Sequence, residues 1–235
     1  MSERPILFVG DIQGCAEELA QLLDAAGFRP GRHRLIPVGD TVNRGPDAPG
    51  VLRMLREAEA EPVQGNHERH LLAILDRGEY PNWLRKGSAH AQLTETGELD
   101  RAAEWIRIWP LYREGPDWIV VHAGLHPALE PAQTDASFMT EVRYCTAEGG
   151  LPRVPDGKLT GSPDGFRPWY EFYGGTPTVI YGHWARQGLL VRDRLRGLDT
   201  GCVYGGHLTG LWWPEDRIVQ VNSTQPYRRL PVPKT

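Results

Sequence analysis

The sequence predicts an α/β fold built around a parallel sheet. Short apolar runs are followed by apolar residues at helical spacing, and this strand-then-helix order occurs three times before residue 77. Each run also leads into glycine and a polar residue, which is typical of a buried strand entering a turn. In chain order, the predicted elements are a strand at Ile6–Val9, a helix at Ala16–Ala26 ending at Gly27, a strand at Leu35–Val38, a helix marked by Val51, Leu52, Leu55 and Ala58, a brief strand at Pro62–Val63, and a helix marked by Leu71, Leu72 and Leu75.

The second half of the chain is less regular. Two apolar runs, Trp118–Val121 and Val179–Tyr181, predict further strands, and residues 146–167 have the Gly and Pro content of a long loop. A second, largely antiparallel sheet is predicted from four short runs: Leu189–Arg192, Leu195–Leu198, Leu208–Trp213 and Ile218–Val221. No internal repeat or linker interrupts the sequence, so residues 1–235 are predicted to form a single domain.

The composition is typical of a globular protein and argues against several other classes. Among 235 residues, 40% are hydrophobic and 24% charged, and the net charge of −4 argues against dominant nucleic-acid binding. The N-terminal apolar run is too short for a signal peptide or a membrane span. Three cysteines without a Cys-x-x-Cys motif favour neither a disulfide framework nor a thiolate zinc cage, so the reducing cytoplasm is the expected compartment. Nothing in the sequence indicates a protein partner.

The predicted strand ends carry side chains that can bind metal. In α/β sheets the loops beyond the carboxyl ends of the strands build the site, so these side chains should converge there. Oxygen donors mixed with imidazole, without thiolate, fit two divalent ions, with manganese first and iron, zinc, cobalt or nickel as alternatives. Asp40 could bridge the pair. The remaining candidate ligands are Asp11 and Gln13 for one metal, and Asn66, His122 and His183 for the other.

A pair of metals at these positions could activate water and hold a phosphoryl group for in-line attack. His67, next to Asn66, is the candidate proton donor for the leaving oxygen. Arg44 has the planar fork that suits a phosphate. Trp184, directly after His183, is a candidate for lining the substrate pocket. For Gln13, direct ligation and a supporting hydrogen bond remain open alternatives.

The motifs resemble those of calcineurin-like metallophosphoesterases, specifically the phosphoprotein-phosphatase branch. The resemblance covers Gly10–Gly14, Gly39–Pro46, Gly65–Glu68, His122–Gly124 and Tyr181–His183. The run from Leu198 to Thr209 is similar to that of bacterial symmetrical bis(5'-nucleosyl)-tetraphosphatases and their close relatives. The resemblance implies a sandwich of two mixed β-sheets flanked by helices, with the dimetal site at the carboxyl ends of the strands.

The resemblance also implies roles for individual residues. Asp40 matches the bridging ligand, His67 the general acid and Arg44 the phosphate-binding arginine, while Asp199 matches an acidic residue near the site and Arg143 loosely matches a second substrate-binding arginine. There are two departures: Gln13 replaces a histidine ligand, and Asn43 replaces the aspartate that supports the catalytic histidine in protein Ser/Thr phosphatases. The segment between His122 and Arg143 is short, which implies a reduced cap over the pocket.

Three functions follow from this comparison. The first is symmetrical cleavage of a small phosphorylated substrate, diadenosine tetraphosphate, to two ADP. The second is a phosphatase acting on phosphoproteins or simple phosphomonoesters with the same dimetal chemistry. The third, from a different class, is a metal-poor binding protein disabled by Gln13.

Overall fold

The computed structural model describes residues 4–77, 88–153 and 161–229, so part of the predicted loop at 146–167 lies outside the described residues. Six α-helices lie within these ranges: α1 Ala16–Ala26, α2 Ala48–Glu57, α3 Asn66–Arg77, α4 Ala89–Glu95, α5 Leu99–Arg107 and α6 Ala136–Glu141. Short 3₁₀ helices lie at Pro131–Gln133, Trp169–Glu171 and Cys202–Tyr204. Among the described residues, no helix has both the length and the apolar character needed to cross a membrane.

The strands form two mixed sheets and one small ribbon. In chain order they are β1 Ile6–Val9, β2 Arg34–Pro37, β3 Tyr112–Glu114, β4 Trp118–Val121, β5 Tyr144–Cys145, β6 Arg167–Pro168, β7 Thr178–Tyr181, β8 Leu190–Arg192, β9 Leu195–Gly197, β10 His207–Trp213 and β11 Arg217–Asn222. The first sheet has the order β11-β10-β1-β2 and the second β3-β4-β7-β9-β8, while β5 pairs with β6. Pairs β1–β2, β4–β7 and β7–β9 are parallel.

Alternating side chains build the layers of the sandwich. On β1, Leu7 and Val9 belong to a core shared with α1 and α2, whereas Ile6 and Phe8 pack with Trp118 and Val120 of the second sheet. This is the period of two expected for a strand that is buried on both faces. The outer face of the second sheet packs against α6 and the segment around Trp169. The predicted architecture of two sheets flanked by helices is confirmed.

The first helix follows its sequence signals closely. It spans Ala16–Ala26 as predicted, and Gly27 ends it in the left-handed conformation at φ 68°. The Gly27 N–H donates to the Asp24 carbonyl at 2.8 Å. This ending holds the chain in the turn that leads back toward β2.

Two predictions about strands are wrong. Residues Pro62–Val63 are extended beside β2, where Val63 N–H donates to the Pro37 carbonyl at 3.3 Å, but they form no strand. Pro37, the acceptor of this bond, has no N–H to donate in return, so the ladder between β2 and this segment stays incomplete. The four C-terminal runs do not form one antiparallel sheet: β8 and β9 join the second sheet, whereas β10 and β11 join β1 in the first. Each hairpin is local, but the sheet it joins depends on pairing with distant strands.

Candidate active site

The structure brings most of the predicted site residues to one edge of the sandwich. The loops after β1, β2, β4, β7 and β9 and the start of α3 meet there, and they carry Asp11, Gln13, Asp40, Asn66, His67, His122, His183 and Asp199. One donor atom from each of Asp40, His122 and His183 lies within 4.8 Å of the others, a spacing that could hold a metal ion.

Asp40 lies at the centre of this group and is almost fully buried. Its Oδ1 accepts a hydrogen bond from the His67 N–H at 2.9 Å and lies 3.3 Å from His122 Nε2. Its Oδ2 lies 3.6 Å from His67 Nε2. Burial alone would raise the pKa of Asp40, but His122, His67 and Arg44 together hold it below its ordinary value. Asp40 therefore carries a negative charge in the middle of the site.

The loop that presents Asp40 has an unusual backbone. Gly39 has φ 97° and Asp40 has φ 48°, the left-handed region that disfavours ordinary side chains. Glu68, fully buried on α3, holds this turn. Its Oε2 accepts from the N–H groups of Asp40 and Gly65, both at 2.8 Å, and its Oε1 accepts from the Thr41 N–H at 2.8 Å. The Thr41 hydroxyl and the Val42 N–H also donate to Oε1.

The two site histidines are oriented by backbone carbonyls. His122 Nδ1 lies 3.0 Å from the Val38 carbonyl, and His183 Nε2 lies 3.1 Å from the Glu141 carbonyl. Because a carbonyl only accepts, those nitrogens carry protons, and His122 Nε2 and His183 Nδ1 are the ring atoms that face the site. Both face Asn66 Oδ1, at 3.1 and 3.0 Å. Burial, Arg143 and His122 hold the pKa of His183 well below its ordinary value, so the ring is neutral, as a metal ligand must be.

On the other side of Asp40, the structure crowds further acidic groups together. Asp11 Oδ1 accepts from the His183 N–H at 3.0 Å, in space that only glycine at position 182 leaves open. Burial and the charges of Asp199 and Asp40 raise the pKa of Asp11 well above its ordinary value. Burial also raises the pKa of Asp199 to about 6. The charge of Asp40 disfavours ionisation of Asp11 and Asp199, and the three buried carboxyl groups form a donor set that a divalent cation would stabilise.

Gln13 lies between two carboxylates of the site. Its Nε2 donates to Asp11 Oδ2 and to Asp40 Oδ2, each at 3.4 Å. Direct ligation would require the amide to present Oε1 instead. Either orientation keeps Gln13 between the two carboxylates.

His67 is buried and points at Asp40 from the start of α3. Its Nδ1 lies 3.2 Å from the Val42 carbonyl, which fixes the proton there and directs Nε2 into the site. Burial, together with Arg44, lowers the pKa of His67 to about 3, despite the opposing charge of Asp40. Asn43 forms hydrogen bonds with backbone groups: its Nδ2 donates to the His67 carbonyl at 3.3 Å, and its Oδ1 accepts from the Ala89 N–H at 2.9 Å. It therefore supports the backbone rather than the ring.

Three predicted substrate-binding residues surround this centre. Arg44 donates to the Tyr204 hydroxyl, and its guanidinium lies 5.6 Å from the centre of the same ring. Arg143 donates to the His183 carbonyl at 3.4 Å, and burial lowers its pKa although the charge of Asp199 opposes the shift. Trp184 packs edge-on against Tyr144, with ring centroids 4.9 Å apart.

The comparison with known families agrees with this geometry. The sequence profile of the calcineurin-like phosphoesterases matches residues 4–187. The chain belongs to this family. It is therefore a metal-dependent phosphoesterase, and the crowded carboxylates and neutral imidazoles described above fit the divalent metals that the family implies.

Two relatives of this phosphoesterase carry the same name. A protein from Nitrosomonas europaea named bis(5'-nucleosyl)-tetraphosphatase, symmetrical, is 32% identical, with 91% of this chain and 96% of the relative covered. A protein of the same name from Aeromonas hydrophila is 34% identical, with 89% and 94% covered.

Solved structures show the same fold. One described as "Crystal structure of a putative diadenosine tetraphosphatase" is 31% identical, with a TM-score of 0.77 and 93% of each chain covered. A protein serine/threonine phosphatase from Saccharomyces cerevisiae is 17% identical, with a TM-score of 0.56 and coverage of 93% of this chain and 79% of that one. At that identity the second comparison shows the fold alone.

Sequence reasoning gave no role to two residues at this site. Glu68 ends the Gly-Asn-His-Glu motif, so its position was visible, but its five hydrogen bonds depend on the turn at Asp40. Tyr204 lies 160 positions after Arg44, and no local pattern links the two.

Proposed function

We propose that this phosphoesterase is a symmetrical dinucleoside tetraphosphatase that hydrolyses diadenosine tetraphosphate to two ADP. The observation that carries the proposal is the shared name of relatives that are 32% and 34% identical and cover about nine-tenths of the chain. The charges around the site support it. Among the described residues, neither Arg44 nor Arg143 forms an ion pair with a carboxylate, so two guanidinium groups are available to bind adjacent phosphates.

We further propose that two divalent ions are the cofactor, with Asp40 as the bridging ligand. The other proposed ligands are Asp11 and Gln13 on one ion, and Asn66, His122 and His183 on the other. When bound, such a pair lowers the pKa of a coordinated water and offsets the charge of the phosphoryl group. Manganese is our first choice because the donors are oxygen and imidazole nitrogen, without thiolate. Iron, zinc, cobalt and nickel are the alternatives.

His67 is the proposed proton donor to the leaving oxygen. The Val42 carbonyl holds Nδ1–H, so Nε2 is the atom from which a proton would be given. With the pKa lowered to about 3, the free site keeps this ring neutral. A bound polyphosphate brings negative charge next to the ring, which raises its pKa and favours the protonated form. The proton is therefore expected to arrive together with the substrate.

The remaining proposed roles concern substrate binding and the electrostatic charge around the metal site. Arg44 and Arg143 bind phosphoryl oxygens, and Trp184 lines the pocket beside His183 with its neighbour Tyr144. Asp199 adds negative charge next to Asp11 and so favours metal binding there. We infer a cytoplasmic location, supported by the three cysteines, which are free and buried.

The test is turnover of diadenosine tetraphosphate with Mn²⁺, with products resolved by ion-exchange chromatography. ADP as sole product is expected, whereas ATP plus AMP would contradict symmetrical cleavage. A higher kcat/KM for a phosphopeptide or an aryl phosphate than for the dinucleotide would move the function to a phosphatase of phosphoproteins or phosphomonoesters. No metal-dependent turnover of any of these would favour the binding-protein alternative.

Variants of His67 test the mechanism within the same assay. His67→Asn should lower kcat by about 10²–10⁴-fold, the usual contribution of a general acid. The loss should be smaller for a nitrophenyl phosphate, whose leaving group needs little protonation, than for an alkyl phosphate. Equal losses on both would contradict the acid role. Glu104→Gln, at an exposed position on α5, is the control.

A further inference from the structure

Away from the dimetal centre, two cysteines and a glutamate form a second buried group of donors. Cys15 precedes α1, Glu18 lies in the first turn of α1, and Cys202 begins the last 3₁₀ helix. Cys15 and Glu18 are 0% exposed and Cys202 is 2% exposed. One donor atom from each lies within 4.8 Å of the other two. The dimetal chemistry uses none of these three side chains.

Glu18 has one oxygen that is fully occupied and one that is not. Oε1 accepts from the Thr224 N–H and the Thr224 hydroxyl, both at 2.9 Å, and from the Tyr227 hydroxyl at 3.0 Å. Oε2 is buried and has no hydrogen-bond partner. Burial alone would raise the pKa of Glu18, but the hydrogen bonds from Thr224 and Tyr227 hold it below its ordinary value, so the group is a carboxylate.

A buried carboxylate oxygen without a partner is costly, because the charge has lost its water and gained nothing in return. Among the described residues, no lysine or arginine forms an ion pair with Glu18. Cys15 and Cys202 are in contact with each other and remain thiols. These three residues therefore offer metal-binding donor atoms and a negative charge, and no ion pair among the described residues neutralises that charge.

We propose that Cys15, Glu18 and Cys202 bind one thiophilic divalent cation, with Zn²⁺ as the reference ion. Both thiols lose their protons on binding, so two protons are released per ion and the sulfurs coordinate as thiolates. Two thiolates and one carboxylate give three donors of the kind zinc prefers, with a fourth tetrahedral position open. The dimetal centre has only oxygen and nitrogen donors, so the two sites differ in the metals they select.

The position of the cation gives it a structural effect. Cys15 lies two residues after Gln13, and Cys202 begins the 3₁₀ helix that carries Tyr204, the partner of Arg44. Glu18 is bonded to the segment at Thr224 and Tyr227. One ion would join these three segments, and an ion that binds only the folded protein stabilises it.

The experiment is a Co²⁺ titration of the full-length reduced protein, followed by absorption spectroscopy. Thiolate-to-cobalt charge transfer in the near ultraviolet is expected in the wild type, and it reports on sulfur ligands alone. Cys15→Ser and Cys202→Ser should each lose most of this band and bind one equivalent less metal. Cys145→Ser is the matched control, because Cys145 is a buried cysteine in the β5–β6 ribbon and should keep the band.

A second measurement starts from the wild type, so it does not depend on the folding of the cysteine variants. Zn²⁺ added to the wild type should raise the midpoint of thermal unfolding and protect two of the three cysteines from alkylation, and Glu18→Gln should weaken both effects. Absence of the charge-transfer band in the folded wild type would overturn the proposal, as would an equal band in Cys202→Ser. A Cys15–Cys202 disulfide that persists in the protein under reducing conditions would overturn it as well.

Discussion

Replacement of Glu68 by glutamine is expected to damage both the stability and the metal site of this phosphoesterase. The Glu68 carboxylate accepts five hydrogen bonds, and Gln keeps its size but has only one oxygen. The amide NH₂ would then face the N–H groups of Asp40 and Gly65, which now donate to Oε2. Two hydrogen bonds to a charged acceptor would be lost, each worth roughly 1.5–3 kcal/mol.

Loss of these two bonds is partly offset, since glutamine removes a buried charge. Burial and the charge of Asp40 raise the pKa of Glu68, which shows that its ionised form is disfavoured there. We therefore expect a net loss of about 3 kcal/mol in the free energy of unfolding, at the lower end of the range for two such bonds. For a chain of this length that corresponds to a fall of roughly 6–12 °C in Tm.

Glu68→Gln should also lower the affinity of the site for metal. Glu68 holds Asp40 at φ 48°, so the carboxylate proposed to bridge the metals would lose its orientation. Removal of a group that orients a ligand typically lowers metal affinity by about 10–100-fold. Differential scanning calorimetry and Mn²⁺ titration would measure the two effects, with Glu104→Gln, at an exposed position on α5, as the control. A Glu68→Gln protein with wild-type Tm and Mn²⁺ affinity would refute the reasoning.

Three further predictions address other parts of the site. Asp40→Ala should lose both metals after dialysis, as measured by inductively coupled plasma mass spectrometry, and a full complement would exclude the bridging role. Tyr204→Phe removes the hydroxyl that accepts a hydrogen bond from the Arg44 guanidinium but keeps the ring beside it, so KM should rise about 2–10-fold with kcat almost unchanged. Tyr173→Phe, which loses a bond to a carbonyl elsewhere, is its control, and an equal rise there would contradict the prediction. Mn²⁺ affinity should increase as pH rises through about 6, because Asp199 and Asp11 have raised pKa values and must lose protons before they favour the metal. Calorimetric titrations at several pH values would measure this, and Asp199→Asn should flatten the profile; a wild-type affinity independent of pH between 5 and 7 would contradict it.

The sequence predicted those parts of the structure that depend on local signals. Helix α1 and its end at Gly27 follow from apolar spacing and a residue that tolerates positive φ. The convergence of Asp11, Asp40 and His122 follows from a geometric rule, since each lies just after a buried strand and the carboxyl ends of such strands meet. Their proposed roles in metal binding stay predictions.

Long-range pairing was not predictable in the same way. The four C-terminal runs were visible in the sequence as short strands, but β9 pairs with β7 and β10 with β1. The alternation of polar and apolar residues along a strand does not specify which sheet the strand joins. The pairing of Arg44 with Tyr204 likewise depends on where the last 3₁₀ helix lies. The cluster of Cys15, Glu18 and Cys202 joins residues that no sequence motif connects.

The pairing of β1 with β10 also sets the order in which the molecule can mature. Ile6 is paired with Trp213, and Asp199 lies beside Asp11, so the N-terminal half of the site has no completed sheet until the distant strands have been synthesised. At about 5–20 residues per second, roughly 10–40 s separate synthesis of Asp11 from that of Asp199. Until residue 183 has been synthesised, the nascent chain presents the carboxylates of Asp11 and Asp40 without the complete pair of imidazoles from His122 and His183. The complete set of candidate metal ligands and acidic neighbours therefore exists only after most of the chain has been synthesised.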